Sequence, residues 1–369
     1  MTTDDCLRYT RFIYPRWHMM MKLNRLVVGF GCVVTLALCT AGASAQSGRK
    51  LPSNNRSQQD ETLRLRAEEV LLNVTVTDPY SRQATDLAKS EFIVAEDGQR
   101  QEIASFMISS VPVNVVLMLD ASGSVAGEIS SLRDAAMRFI EQISPDDKVS
   151  VLEFHSNVEL LQDWTSSVED LRRAITWRFR PGMVRTPDGH TSAGMTALYD
   201  ALFLTAGEQL AKVEGRKAII MLTDGVDSSS KVTYPQALGS IIKSGAVVYV
   251  VSKARLFIGE MNKYRGKAGR IFGGGTAGQA DEMVAILEGA EKLMTDLATR
   301  SGGAIFSPLK DEEMKDVYSQ VARELKNQYI ITYMPKNEER NGQLRRINVY
   351  LTRAGYVART RESYYAPKN

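Results

Sequence analysis

Two apolar segments of this chain end in an aspartate, and this repeated feature constrains the fold more than any other. Asn114–Val125 reads NVVLMLDASGSV, so a run rich in β-branched residues stops at Asp120. Lys217–Asp224 reads KAIIMLTD and stops in the same way, before Gly225. Such runs are typical of buried strands in a parallel sheet. Because the carboxyl ends of parallel strands meet at one edge, we expect the two aspartates to lie there together.

Hydroxyl side chains accompany the first aspartate. Asp120, Ser122 and Ser124 occupy alternate positions where the strand gives way to a helix, and Thr196 enters a second amphipathic helix. Mg²⁺ prefers oxygen ligands in near-octahedral geometry and keeps several waters, so a carboxylate and two hydroxyls form a plausible partial shell. Taken alone, either serine is more simply explained as the N-cap of the following helix. Thr196 and Asp224 favour the metal site instead.

From residue 111 onward, strand patterns alternate with helix patterns. This order predicts an α/β fold with a doubly wound, mostly parallel sheet and helices on both faces. The helix after the first aspartate has apolar residues at three- and four-residue steps, which predicts one face packed on the sheet. Further strands are predicted at 147–154, 158–164 (an edge strand), 217–223, 246–251 and 303–307, with helices at 171–179, 197–210, 282–300 and 311–326.

The order Asp120-x-Ser122-x-Ser124, then Thr196, then Asp224 resembles the metal-ion-dependent adhesion site (MIDAS) of von Willebrand factor type A (VWA) domains. The resemblance implies a Rossmann-like domain that binds Mg²⁺, or Mn²⁺ or Ca²⁺. It also implies that the hydroxyls contact the ion directly, that the aspartates act largely through waters, and that an Asp or Glu carboxylate of a protein partner completes the shell. We therefore expect metal-dependent protein–protein interaction or adhesion.

An enzyme acting at the same site is the alternative. Asp120-Ala121-Ser122 is not the Asp-Ser/Thr-Gly of aspartic proteases, and the serine at 124 lacks a Gly-x-Ser-x-Gly elbow. His190 precedes Thr196 in a loop, where a histidine is usually solvated. We expect no enzymatic activity, and metal-dependent hydrolysis is the second hypothesis.

The first 45 residues predict export. Lys22 and Arg25 precede an apolar stretch, Leu26–Ala41, and a small-residue Ala-Ser-Ala sequence precedes Gln46, which is typical of a secretory signal peptide. The apolar stretch is shorter than the about 20 residues of a membrane span. Its long polar lead favours a translation start at one of the methionines 19–21. We expect a periplasmic, cell-envelope or secreted protein without a stable membrane span after cleavage.

Cleavage after residue 45 would change the composition. The three cysteines, Cys6, Cys32 and Cys39, all precede it, so the remainder has no thiolate for zinc, for nucleophilic catalysis or for disulfides. Five of the 46 cationic and two of the 43 acidic residues also precede it, which leaves 41 of each sign. This balance gives no indication of nucleic-acid binding, and we expect no such partner.

Strand patterns flank the α/β region on both sides. Residues 46–61 resemble a flexible linker, and residues 62–110 predict a small β domain in which Asp97-Gly98 marks a hairpin turn. Residues 328–369 contain three further strand patterns, at 329–333, 345–352 and 356–361. We expect these strands to pair with, or pack beside, the N-terminal ones, as in exported bacterial proteins that this chain resembles. Residues 111–327 would then be the VWA domain.

A long insertion follows the strand that ends at residue 251. It holds the cations Lys263, Arg265, Lys267 and Arg270, and should rise on the edge that carries the aspartates. A mobile, solvated basic loop explains this composition as well as a functional one does. In the functional interpretation, the four cations bind an acidic partner, and charge steering makes association fall as salt rises.

Overall fold

The computed structural model describes residues 69–108, 111–123, 129–179, 184–185, 191–192, 195–264 and 277–368. The predicted signal peptide and linker lie outside these ranges, and the predicted domain boundaries stay a prediction. The strands described are β1 (Val70–Thr77), β2 (Phe92–Glu96), β3 (Gln99–Gln101), β4 (Ile103–Ile108), β5 (Val113–Asp120), β6 (Lys148–Phe154), β7 (Val158–Thr165), β8 (Val184–Arg185), β9 (Thr191–Ser192), β10 (Arg216–Thr223), β11 (Val247–Ser252), β12 (Ile305–Phe306), β13 (Tyr329–Tyr333), β14 (Leu344–Leu351), β15 (Val357–Arg359) and β16 (Ser363–Tyr365). The α-helices are α1 (Ile129–Ile140), α2 (Val168–Arg173), α3 (Leu198–Leu204), α4 (Tyr234–Ser244), α5 (Ala254–Tyr264), α6 (Ala277–Ser301) and α7 (Asp311–Lys326).

Six strands form the central sheet, in the order β12-β11-β10-β5-β6-β7. Five of them are parallel, and β7 pairs antiparallel with β6 at the edge. The register places Leu222 beside Leu119 and Asp120 beside Phe154, so neighbouring strands end almost level. The predicted α/β fold, with 158–164 as an edge strand, is confirmed.

Helices cover both faces of the sheet because successive residues of each central strand are apolar. In β5, Val115 and Leu117 pack in the cluster with α1, α2 and α7, while Val116 and Met118 pack in the cluster with α3, α4 and α6. All four side chains are fully buried. A parallel sheet between two helical layers requires such a nearly continuous apolar sequence.

Strands from both ends of the described chain form a β sandwich. Its two sheets have the orders β15-β1-β13-β4 and β16-β14-β2-β3, so each combines N-terminal with C-terminal strands. Asp97 and Gly98, with φ of 48° and 82°, form the tight turn between β2 and β3. Both central residues of a type I′ hairpin turn require positive φ, which is why Asp-Gly predicts it. The predicted pairing of the terminal strands is confirmed.

A buried polar network, here called the junction network, joins the sandwich to the amino edge of the central sheet. Arg216 begins β10 and donates hydrogen bonds to Asn73 Oδ1 (3.1 Å) in β1 and Gln328 Oε1 (2.8 Å). Glu324 of α7 accepts hydrogen bonds from the hydroxyls of Thr75 (3.2 Å) and Tyr249 (2.9 Å). Sandwich and central sheet thus belong to one compact unit, Glu61–Asn369.

The insertion predicted as a loop is helical at both ends, so this interpretation is wrong for its described part. α5 begins directly after β11, and α6 begins at Ala277 instead of near residue 282. The two helices pack on each other, and this contact stabilises a segment whose cations and glycines obscure its apolar periodicity. Neither α6, with 25 residues, nor any other described helix is long and apolar enough to cross a membrane.

Candidate metal site at the carboxyl edge of the sheet

Asp120 is the last residue of β5, and its carboxylate is held by both of its oxygens. Oδ1 accepts the N–H of Ser122 (2.9 Å), and Oδ2 accepts the hydroxyl of Thr223 (2.6 Å) from the neighbouring strand. Ala121 then donates its N–H to the carbonyl of Phe154 (2.8 Å), which directs the chain across the end of β6. Asp120 is 0% exposed, and the hydrogen bonds from Ser122 and Thr223 fix both oxygens of its carboxylate.

Asp224 follows β10 and is also buried, with 5% exposure. Its Oδ1 accepts the N–H of Val226 (3.0 Å), which closes a turn around Gly225. Gly225 has a φ of +80°, and a Cβ at this position would lie 3.0 Å from Cγ of Met294 in α6. Glycine thus allows both the left-handed backbone and the close approach of the helix.

The two aspartates interact electrostatically. Burial is the main reason that the pKa of Asp120 rises from 3.8 to about 6, and the charge of Asp224 raises it further, against the hydrogen bonds from Ser122 and Thr223. Both effects disfavour the ionised carboxylate. A positive charge beside Asp120 would act in the opposite direction and favour its ionised form. This edge of the sheet is therefore suited to a cation.

Thr196 is attached to the same edge through its backbone. Its N–H donates to Oγ of Ser228 (2.8 Å), and its carbonyl accepts the N–H groups of Ser228 (2.9 Å) and Ser229 (3.1 Å). The next residue, Ala197, donates its N–H to the carbonyl of His155 (2.7 Å), directly after β6. Thr196 is buried between the end of β6 and the loop that follows Asp224.

Four of the five predicted ligands lie in the described part of the chain. Asp120 interacts with Ser122 and Asp224, and hydrogen bonds tie the Thr196 loop to the loop after Asp224. Ser124 lies outside the described residues. The donors are carboxylate and hydroxyl oxygens, the hard ligands that Mg²⁺, Mn²⁺ and Ca²⁺ bind, so the residues fit the implied ion. Their role as ligands stays a prediction.

Two residues that hold the site together were not predicted from the sequence. The hydroxyl of Thr223 accepts the N–H of Gly225 (3.0 Å) while donating to Asp120, so it links both strand ends. A hydroxyl at the end of an apolar strand, directly before Asp224, was the available indication. Ser228 bonds Thr196 across 32 residues, and no local pattern reveals such a distant partner.

The cations predicted to bind a partner lie mostly outside the described residues. Lys263 belongs to α5, but its side chain is not described, and Arg265, Lys267 and Arg270 fall between α5 and α6. Two other cations of the insertion have structural roles. Lys253 is completely buried, and Arg255 forms an ion pair with Glu291 of α6 (2.7 Å), so neither belongs to a solvated basic loop.

A second group of ligand-type side chains lies where β6 meets β7. Glu153, His155 and Glu159 each place one such atom within 4.8 Å of the others. Burial lowers the pKa of His155, against the charge of Glu159, which favours a neutral ring. Its Nδ1 accepts the N–H of Asn157 (3.2 Å), so the proton of the neutral ring lies on Nε2 and blocks coordination there. The aspartate edge is therefore the better metal site.

A doubly wound α/β domain with buried carboxylate and hydroxyl groups at its carboxyl edge belongs to the class that binds ligands where parallel strands end. Residues 115–226 match the profile of the family described as von Willebrand factor type A domain. The chain therefore contains a VWA domain, as the sequence predicted, and the matched part runs from β5 to the turn after β10.

The chain is also similar to individual proteins. The inter-alpha-trypsin inhibitor heavy chain H3 of Mesocricetus auratus is 28% identical over 134 residues, which cover 35% of this chain and 14% of that protein. This chain thus spans only about one seventh of that relative. A von Willebrand factor type A structure from Catenulispora acidiphila has 12% identity and a TM-score of 0.42, covering 82% of this chain and 74% of that chain. The vWF domain of the type V pili tip protein Mfa5 from Porphyromonas gingivalis has 12% identity and a TM-score of 0.38, covering 58% and 95%.

Proposed function

We propose that this protein binds Mg²⁺, or Mn²⁺ or Ca²⁺, at the carboxyl edge of its VWA domain, and thereby binds a carboxylate of a protein partner. The supporting observation is the buried carboxylate of Asp120. Hydrogen bonds from Ser122 and Thr223 fix it in place, while burial and the charge of Asp224 disfavour its ionised form. A divalent cation at this position would favour the ionised form of Asp120, which burial and the charge of Asp224 disfavour.

The predicted ligands have two roles. Asp120 and Asp224 supply the negative charge that attracts the ion, while Ser122, Ser124 and Thr196 supply neutral hydroxyl oxygens. When bound, the ion contributes positive charge and a coordination position for an Asp or Glu of the partner. Because the proposed direct ligands are neutral hydroxyls and the aspartates act largely through waters, the ion keeps positive charge toward its open position, and a charge-assisted contact to a partner carboxylate adds specificity.

We also propose that the site binds without turnover. Both oxygens of Asp120 are occupied by donors from the protein, although its pKa near 6 would suit a general base. His155 contributes its carbonyl to the Thr196 loop and its Nδ1 to Asn157. General acid–base catalysis needs a group within hydrogen-bonding reach of the substrate, and these groups are engaged in holding loops.

Metal titration tests the proposal. Calorimetry with MgCl₂ and MnCl₂ should show saturable binding to the wild type, and Asp120→Ala should weaken it at least about a hundredfold, because the main charged ligand is lost. Asp163→Ala, at an exposed aspartate of β7, is the matched control and should bind like the wild type. Unchanged affinity in Asp120→Ala would refute the site.

Partner binding needs a separate measurement. Immobilised wild type and Asp120→Ala are exposed to a cell-envelope extract with Mg²⁺ or with EDTA. A partner of the proposed kind is retained by the wild type in Mg²⁺, released by EDTA, and not retained by the variant. Retention that is unchanged by both EDTA and the Asp120→Ala substitution would contradict the proposal. Turnover of phosphoester or peptide substrates that Asp120→Ala abolishes would also contradict it.

We propose, finally, that the protein acts outside the cytoplasm. The proposal rests on the charge, apolar length and small-residue ending of residues 1–45. Mass spectrometry of the native protein should find an N-terminus near Gln46. An intact N-terminus in a cytoplasmic fraction would overturn this assignment.

A further inference from the structure

One face of α6 passes from the interior of the VWA domain into solvent beside the candidate metal site. Met283, Ile286, Ala290 and Met294 are three or four residues apart, so they lie along the same side of the helix. Met294 is fully buried among α3, α4 and the sheet, and Ala290 is buried one turn earlier. Met283 and Ile286 remain 46% and 43% exposed.

The close contact of α6 with Gly225 determines where this face lies along the strand direction relative to the candidate metal site. A Cβ at Gly225 would lie 3.0 Å from Met294 and 3.6 Å from Ala290, and Gly225 directly follows Asp224. α6 precedes β12, a parallel strand, so the helix runs back from the carboxyl edge to the amino edge. The residues before Ala290 therefore extend beyond the carboxyl edge.

Helix geometry gives the extent of the projection. Thirteen residues separate Ala277 from Ala290, which corresponds to about 20 Å of helix at a rise of about 1.5 Å per residue. Ile286 and Met283 lie about 6 and 10 Å beyond Ala290 along the axis. They form an apolar surface, here called the α6 wall, which continues the face packed against Gly225 and borders the space above Asp224.

We infer that the α6 wall is part of the partner-binding surface and selects partners whose metal-binding Asp or Glu is followed by apolar residues. The inference rests on the proposed function and specifies its partner. A chain whose carboxylate occupies the metal site lies next to the wall, because Asp224 and the wall are joined through Gly225. An extended chain advances about 3.3 Å per residue, so two to four residues span the roughly 6 to 10 Å over which Ile286 and Met283 extend beyond Ala290.

Apolar contact is the chemistry that the wall offers. Met and Ile at the centre of an interface contribute by removing apolar surface from water, and methionine adapts to different partner side chains. A second exposed apolar side chain, Met195, directly precedes Thr196 on the same edge and is 59% exposed. The polar metal site thus has apolar side chains at its borders, an arrangement suited to a carboxylate flanked by leucine-like residues.

Synthetic peptides test this inference with a defined probe. Fluorescein-labelled Gly-Asp-Gly-Leu-Leu-Leu-Gly is compared with Gly-Asp-Gly-Ser-Ser-Ser-Gly and Gly-Asn-Gly-Leu-Leu-Leu-Gly by anisotropy, in Mg²⁺ and in EDTA. We expect the Asp-Leu peptide to bind the wild type in Mg²⁺ at least about tenfold more tightly than either of the others. The double variant Met283→Gln, Ile286→Gln should lose the preference for leucine and keep its Mg²⁺ affinity by calorimetry.

The control variant is Leu344→Gln, which replaces an apolar side chain of equal exposure (43%) in β14 of the sandwich and should keep the preference. Equal Mg²⁺-dependent affinity for the leucine and serine peptides would overturn the inference while the proposed function stands. Equal affinity for the asparagine and aspartate leucine peptides would also overturn it, because the α6 wall would then bind leucine without any carboxylate at the metal site. If neither aspartate peptide responds to Mg²⁺, the proposed function fails and the inference fails with it.

Discussion

Asp120 lowers the stability of the folded protein whenever no cation is bound. Its pKa is about 6 in the folded protein, mainly because of burial and then because of Asp224, against 3.8 for an ordinary aspartate. A raised folded-state pKa means that the folded protein binds the proton more tightly than the unfolded chain does. The corresponding penalty is absent below about pH 4, grows as the pH rises, and reaches about 3 kcal/mol above pH 6.

The first prediction is a pH dependence with this sign. The free energy of unfolding of the chelator-treated wild type should decrease between about pH 4 and pH 6, relative to Asp120→Asn, because the amide does not titrate. Urea unfolding of both proteins across this range measures the difference, and saturating Mg²⁺ should restore the wild type above pH 6. Identical pH profiles for the two proteins would show that Asp120 does not carry the penalty.

At the scale of the elements, Thr223 connects two strand ends. Its hydroxyl donates to Asp120 and accepts from the N–H of Gly225, so it positions the carboxylate and the turn that follows Asp224. Valine has the same shape without the hydroxyl. Replacing Thr223 with valine therefore removes the hydrogen bonds that position Asp120 while keeping the packing of the side chain.

Thr223→Val should lower Mg²⁺ affinity about tenfold and cost about 1–2 kcal/mol of stability through the lost hydrogen bonds. The matched control is Thr332→Val in β13, where the buried hydroxyl accepts the N–H of Ser105 (3.2 Å) far from the site. The control should lose similar stability and keep its Mg²⁺ affinity. Calorimetry measures the Mg²⁺ affinity, and urea unfolding measures the stability. An equal loss of Mg²⁺ affinity in both variants would show that Thr223 contributes to stability alone and does not position the site.

The sequence predicts elements well where local pattern and burial agree. The apolar runs at β5 and β10 and the Asp97-Gly98 turn follow from local preferences, and each is present. Most of α6 was predicted, from residue 282 onward, but α5 and the first turn of α6 were not, and these two helices pack on each other. Stabilising contacts of this kind are tertiary, and periodicity within one window does not contain them.

The candidate metal site, too, is predictable only in part. Asp120 and Asp224 are predictable because each ends an apolar strand of a parallel sheet. The bond from Thr196 to Ser228 joins residues 32 positions apart, and the bond from Arg216 to Gln328 joins residues 112 positions apart. Such partners are determined by how the loops and domains pack, so they become visible only in the structure.

At the scale of the whole molecule, the junction network makes the sandwich and the VWA domain depend on each other. Arg216 donates to the carbonyls of Val111 (2.8 Å) and Leu325 (2.7 Å), in addition to Asn73 and Gln328. Burial lowers the pKa of Arg216, a cost that these hydrogen bonds offset. Loss of the guanidinium would leave several buried acceptors without a donor.

Arg216→Met should therefore lower the free energy of unfolding by at least about 3 kcal/mol, through unsatisfied buried acceptors on both sides of the junction. Arg138→Met, at an exposed position of α1, should change stability by less than about 0.5 kcal/mol. Urea unfolding followed by far-UV circular dichroism and by tryptophan fluorescence should give one coincident transition. Two separate transitions in the wild type would contradict mutual dependence.

The position of the sandwich at the amino edge has a practical consequence. Lys368 pairs with Asn341 within the sandwich, and the junction network joins the sandwich to the amino edge of the central sheet, whereas Asp120 and Asp224 lie at its carboxyl edge. A tag or surface linker fused to the sandwich is thus attached on the side of the amino edge, away from the carboxyl edge that carries the candidate metal site. A protein immobilised in this way presents its aspartate edge and the α6 wall to the solution, where a partner can approach both at once.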